Sequence, residues 1–130
     1  MDTTHFRRRD VYAATGCYAQ LLASWAGGPL KLSRSGPVPL SEALALNVAR
    51  LLSSMHAPKR LLLAAGAAAA AVADHEAPGY LMIWLSGGLW QMATVPEPMA
   101  TAGKIVLILD LGTVRADLLA MLGAGDADAA

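Results

Sequence analysis

Charge is what this sequence lacks most. Asp, Glu, Lys and Arg make up 15% of its 130 residues, against about a quarter in an ordinary soluble domain. Apolar residues reach 55% and mean hydropathy is +0.44. Either an unusually large share of surface is buried, or apolar surface is kept for a partner. Ten acidic residues balance ten basic ones, so the net charge is zero. Nucleic-acid binding rests on basic surface that neutralises phosphates, and this balance argues against it. Near-neutral chains also associate more readily. Cysteine is nearly missing: Cys17 stands alone, which excludes an intramolecular disulfide and fits a reducing, cytoplasmic compartment. No secretory leader is visible, because Asp10 and a helix pattern follow Arg7-Arg8-Arg9 where an apolar core would stand. An uninterrupted apolar span is missing too. Residues 61–73 are uncharged but number only thirteen, too few to cross a bilayer. The twenty uncharged residues 77–96 are long enough, but Pro78, Ser86-Gly87-Gly88, Gln91 and Pro96 interrupt them. That turn chemistry favours a hairpin over a membrane span.

What is present is organised around residues 80–95. Two apolar runs rich in aromatic and β-branched residues flank Gly87-Gly88, and two glycines supply the positive φ angles of a tight hairpin turn. The register then sets Leu85 opposite Trp90 and Ile83 opposite Met92. Leu81, Ile83, Leu85, Trp90 and Met92 share one face; Tyr80, Met82, Trp84, Leu89, Ala93 and Val95 share the other. A half-wet hairpin alternates apolar with polar. This one does not, so both faces call for cover, by helices or by a second chain.

Residues 1–9 read as a basic tail. Asp10 is placed to cap a helix over 10–26, where Val11, Ala14, Tyr18, Leu21, Leu22 and Trp25 recur at helical spacing and Gly27-Gly28-Pro29 stops it. Leu30-Lys31-Leu32-Ser33-Arg34 alternates like a short half-exposed strand, and Val38-Pro39-Leu40 suits a brief edge strand. Ser41 caps the clearest helix, 41–56, whose apolar stripe is Leu44, Val48, Leu51, Leu52 and Met55 and which Pro58 ends. Its other face is poor in charge, as expected of a helix held between the sheet and a partner. Alanine favours helix for much of 59–74; the alternative is a buried strand at 60–65 followed by a loose alanine segment. Residues 74–79 form a loop. Residues 104–110 form a continuous apolar strand, expected to be central. A last helix follows, capped by Thr113, with Val114, Leu118, Met121 and Leu122 buried and Gly123 as its stop. Residues 125–130 read as an acidic tail, leaving one domain at 10–124.

Candidate chemistry is thin. Cys17 near a helix start invites a thiolate, but His5, His56 and His75 are scattered, and a buried apolar role explains it better. Asp74-His75-Glu76 lacks the further ligands that a tight metal site requires. Asp110-Leu111-Gly112-Thr113 resembles the first phosphate loop of actin-like ATPases over four residues only. That fold begins with this strand and needs several hundred residues, so a capped strand-to-helix connection is the better account. Arg7-Arg8-Arg9 and Lys59-Arg60 read as solvated charge, and Trp25, Trp84 and Trp90 as core or interface.

Three stretches carry a resemblance. Leu30-Lys31-Leu32-Ser33-Arg34-Ser35-Gly36-Pro37 is similar to the first strand and Ser-x-x-Gly turn of the Roadblock/LC7 fold. Residues 41–55 fit its long second helix. Residues 105–109, followed by Leu111-Gly112-Thr113-Val114-Arg115, resemble its last strand and the Leu-Gly-x-Val-Arg entry to its final helix. The alanine segment 59–73 departs from the family pattern and leaves the third strand unassigned. The resemblance implies a homodimer in which second helices pack together and the sheets join. It also implies an adaptor or small-GTPase regulator without catalysis.

The expected fold is therefore α+β, a small antiparallel sheet of three to five strands packed with helices in a Roadblock/profilin-like sandwich, dimeric. The expected function is a non-enzymatic binding or adaptor module without cofactor or metal. Its interface would be carried by Leu44, Val48, Leu51, Leu52, Met55, Trp84 and Trp90, and its partners would be a second copy and another protein. Two alternatives stay open. One is a small enzyme or small-molecule binder using Tyr12, Tyr18, Cys17 or Gln91 in an apolar pocket. The other is a chaperone or inhibitor that caps a foreign protein.

Overall fold

The computed structural model describes residues 5–25, 27–33, 35–98 and 105–129. Among these lie five helices and two small antiparallel sheets, an α+β arrangement. The basic N-terminal segment is built into it from His5 onward; residues 1–4 of the expected tail lie outside the described residues. β1 (His5–Phe6) pairs with β2 (Val38–Pro39), Phe6 opposite Val38. Both of those side chains are buried, and this cross-strand apolar pair fixes the start of the chain.

α1 (Arg8–Thr15) begins earlier than expected, with Asp10 inside its first turn instead of at the cap. Gly16 takes φ +77° and ends it, its N–H donating to the Tyr12 carbonyl at 2.9 Å. α2 (Ala19–Ser24) follows, so the helix expected at 10–26 is two helices broken at a left-handed glycine. Val11, Thr15 and Trp25 turn inward, while Tyr18 sits exposed at the joint. No strand forms at 30–33; Arg34 of that expected strand lies outside the described residues. Leu30 is buried there and Ser33 is tied to a helix, so side-chain bonds replace ladder bonds.

α3 (Leu40–Ser54) is the expected long helix. β2 keeps the backbone extended through Pro39, so Ser41 falls inside the first turn and does not cap. The other end closes in a Schellman motif. His56 adopts φ +61° and its N–H donates to the Ser53 carbonyl, while the Ala57 N–H reaches back to Leu52. α4 (Lys59–Ala71) then returns antiparallel to α3, and residues 59–71 are helical, as alanine propensity favours. Ala45, Ala49, Ala65, Gly66 and Ala69 are all buried. A Cβ built on Gly66 would stand 2.9 Å from the Ala45 carbonyl oxygen. The two backbones approach as closely as they do because no side chain intervenes.

β3 (Tyr80–Ser86) and β4 (Leu89–Val95) form the expected hairpin, with Leu85 opposite Trp90 and Ile83 opposite Met92. Gly87 and Gly88 take φ +60° and +79° at the turn, the two positive values of a type I′ turn. β5 (Ile105–Asp110) pairs antiparallel with the other side of β3, giving the order β4-β3-β5. The apolar run of β5, expected at the centre, thus lies on an edge. β3 is central, and Leu81, Met82 and Ile83 are buried in succession along it. A continuous apolar run reports cover on two faces, which an edge strand can also have.

α5 (Leu111–Ala129) starts directly from β5. Asp110 Oδ1 accepts the Thr113 N–H at 3.2 Å, so the cap is Asp110 and not Thr113. Leu111, Leu118 and Leu122 are buried while Met121 is exposed. The helix runs past Gly123 into the segment expected as an acidic tail. Glycine inside a helix costs only about 1 kcal/mol relative to alanine and does not by itself end one.

Candidate interaction surface

The three-stranded sheet is covered unevenly. Its inner face, Leu81, Ile83, Met92, Leu107 and Leu109, joins the helical core. The outer-face residues Tyr80, Met82, Trp84, Ala93, Val95 and Ile108 are not part of that core, although Met82 is itself buried. Ile108 is 43% exposed and Leu89 at the tip 67%. Trp90 shares the inner face by register, yet it is 41% exposed. The helices therefore reach the base of the hairpin and leave its turn end bare. No charge interrupts residues 77–96, so the projecting tip is apolar.

The expected interface residues divide into two groups. Leu44, Val48 and Leu52 are buried within the chain's own core, where α3 lies against α4, α1 and α5. Their apolar surface is used internally. Leu51 and Met55 are exposed, as is Trp90, and Trp84 is half-buried on the outer sheet face. Periodicity identified the apolar stripe of α3 but not which part of it the chain itself covers.

A polar cluster went unread in the sequence because its members are far apart along the chain. Glu42, 8% exposed, accepts the Ser33 N–H and the Ser33 hydroxyl, both at 2.8 Å. Arg8 donates to Ser33 Oγ at 2.7 Å, to the Ser33 carbonyl and Tyr12 hydroxyl at 3.1 Å, and to the Gly36 carbonyl at 3.2 Å. Its Nη1 lies 4.0 Å from Glu42 Oε2. One of the three arginines expected to be solvated is thus a clamp that joins α1, Ser33, Gly36 and α3. A cavity of about 520 Å³ opens beside it, lined by Tyr12, Leu22, Leu30, Leu32 and Ser33 among others. The cluster's donors and acceptors are spent largely on one another, which leaves the cavity few polar groups with which to orient a ligand.

The other candidates are scattered. Cys17 is buried, with Sγ 3.8 Å from the Leu46 carbonyl oxygen. Burial raises its pKa, against smaller lowering effects from the Thr15 hydroxyl and the Arg50 guanidinium. The thiol at neutral pH is accordingly protonated and shielded. Tyr18 is exposed at the α1–α2 joint and Gln91 lies out on β4, so neither joins Tyr12 at the cavity. Asp74, His75 and Glu76 form an exposed turn whose backbone is gripped from α5: Arg115 donates to the carbonyls of Ala73 at 2.8 Å, His75 at 2.6 Å and Glu76 at 3.2 Å. Among the described residues no group of three or more His, Cys, Asp or Glu side chains is arranged to hold a metal. None of their helices is long and apolar enough to cross a membrane.

Set against protein-family models, curated proteins and solved structures, the chain matches none.

Proposed function

We propose that this chain is a non-enzymatic binding module that self-associates and presents apolar surface to a protein partner. The observation that carries the reading is the hairpin tip, where Leu89 and Trp90 stand exposed in a stretch without charge. Burying such surface at roughly 25 cal/mol per Å² supplies the drive, and zero net charge removes the repulsion between copies. The Roadblock-like reading belongs to this proposal. The succession of α3, three strands and α5 supports it, and it would make a small GTPase the partner class. The helix α4 and the lack of a strand at 30–33 weigh on the other side. Light scattering across a hundredfold concentration range tests self-association. A growing dimer fraction is expected; a monomer at every concentration overturns the proposal.

A further inference from the structure

We infer that two copies of this chain join through β4, strand against strand, antiparallel about a two-fold axis at Met92. The inference rests on the self-association proposed above and specifies its geometry.

The backbone fixes which groups are free. The tight turn at Gly87-Gly88 closes on the pair Ser86 and Leu89, which exchange both bonds in a two-residue hairpin. Alternation then turns Leu89, Gln91, Ala93 and Val95 toward β3. An independent bond agrees: the Leu111 N–H donates to the Gly79 carbonyl at 3.0 Å. That contact requires Tyr80 and Asp110, which face each other, to be a non-bonded pair, so Tyr80 turns to β4. The N–H and C=O groups of Trp90, Met92 and Thr94 consequently point away from the sheet, along the edge where the strand order ends.

Among the described residues no strand pairs with this edge. β4 carries no charge, no proline and no bulge, and its register with β3 is unbroken from Val95 to Leu89. An extended strand is the occupant such an edge takes. A second copy fits because three outward residues centred on Met92 are self-complementary. Met92 faces Met92, and Trp90 faces Thr94 in both directions, which gives six backbone bonds. Shifting the axis by one residue leaves four. A partner recognised by charge would find none on β4, whereas a copy of this neutral strand needs none. The exposed Trp90 then lies against Thr94 of the other copy. The strand pair is smaller than the roughly 800 Å² per partner of a standard interface, so a dissociation constant on the order of micromolar is expected.

The test uses the full chain. Met92→Cys under mild oxidation should give a covalent dimer at least tenfold faster than Gln91→Cys or Ala93→Cys. Antiparallel bonded pairs hold their Cα atoms about 5.5 Å apart, within disulfide range. Thr94→Pro removes an N–H that β3 does not use, at an exposed side chain, and should raise the dimer dissociation constant at least tenfold in sedimentation, with the thermal melt of the monomer kept. A dimer that Thr94→Pro leaves intact, with no preference for crosslinking at 92, overturns the β4 pairing while self-association stands. A wild-type chain that never dimerises overturns both. A monomer that instead captures a foreign extended peptide, and loses it with Thr94→Pro, overturns the second copy as occupant.

Discussion

The molecule contains two hairpins that are both poor in charge and are covered very differently. The α3–α4 hairpin carries few charges, Glu42 and Arg50 on one arm and Lys59 and Arg60 on the other; the β3–β4 hairpin carries none. In the first, small residues let two backbones close on each other, and Leu44, Leu46, Val48, Leu52, Leu62 and Leu63 are buried internally while Leu51 and Met55 stay exposed. In the second, only β3 is enclosed; β4 is an edge and the tip stands clear of the helices. Scarcity of charge therefore does not by itself announce an interface. What decides is whether the neighbouring elements of the same chain reach every side of the apolar segment.

The contrast can be broken from the inside outward. Leu44→Ala should cost about 3 kcal/mol, because a fully buried leucine leaves both a transfer loss and a cavity; the urea midpoint reads it directly. Gly66→Ala should cost about 2 kcal/mol by pushing a methyl against the Ala45 carbonyl, where the helical backbones cannot easily part. His56→Gly should act in the other direction, stabilising by about 1 kcal/mol, since a non-glycine residue held at φ +61° carries conformational strain. A rise of a few degrees in the thermal midpoint checks it. Leu89→Ser should change monomer stability by less than about 0.5 kcal/mol, because the side chain is exposed, yet weaken self-association several-fold in sedimentation. If the tip substitution destabilises the monomer as much as Leu44→Ala does, the two hairpins are not different in kind.

Legibility followed the range of the interactions. The β3–β4 register was readable because Gly87-Gly88 sets it locally, and α4 because alanine propensity is local too. The break at Gly16 was not, since Tyr18, Leu21 and Leu22 keep helical spacing across it. The clamp of Arg8, Ser33 and Glu42 joins residues 9 to 34 positions apart, and no spacing rule connects them. The order of the strands was missed for a related reason: apolar content says how well a strand is covered, not which strands flank it. Of the proposed surface, Trp90 at the tip was identified from the hairpin pattern. Leu44, Val48 and Leu52 show the limit of periodicity, which marks the apolar side of a helix without saying whose atoms will lie on it.

Strand order also governs what happens as the protein is made. β3 and β4 leave the ribosome together, but the strand that takes β3's other side ends only at Asp110. At about 5–20 residues per second, the fifteen residues from 96 to 110 need roughly one to three seconds. During that interval the nascent hairpin has two open flanks, and neighbouring chains on the same message present identical ones. Arrival of β5 closes one of them, so translation speed over this short stretch sets how long each newborn chain is open to mispairing.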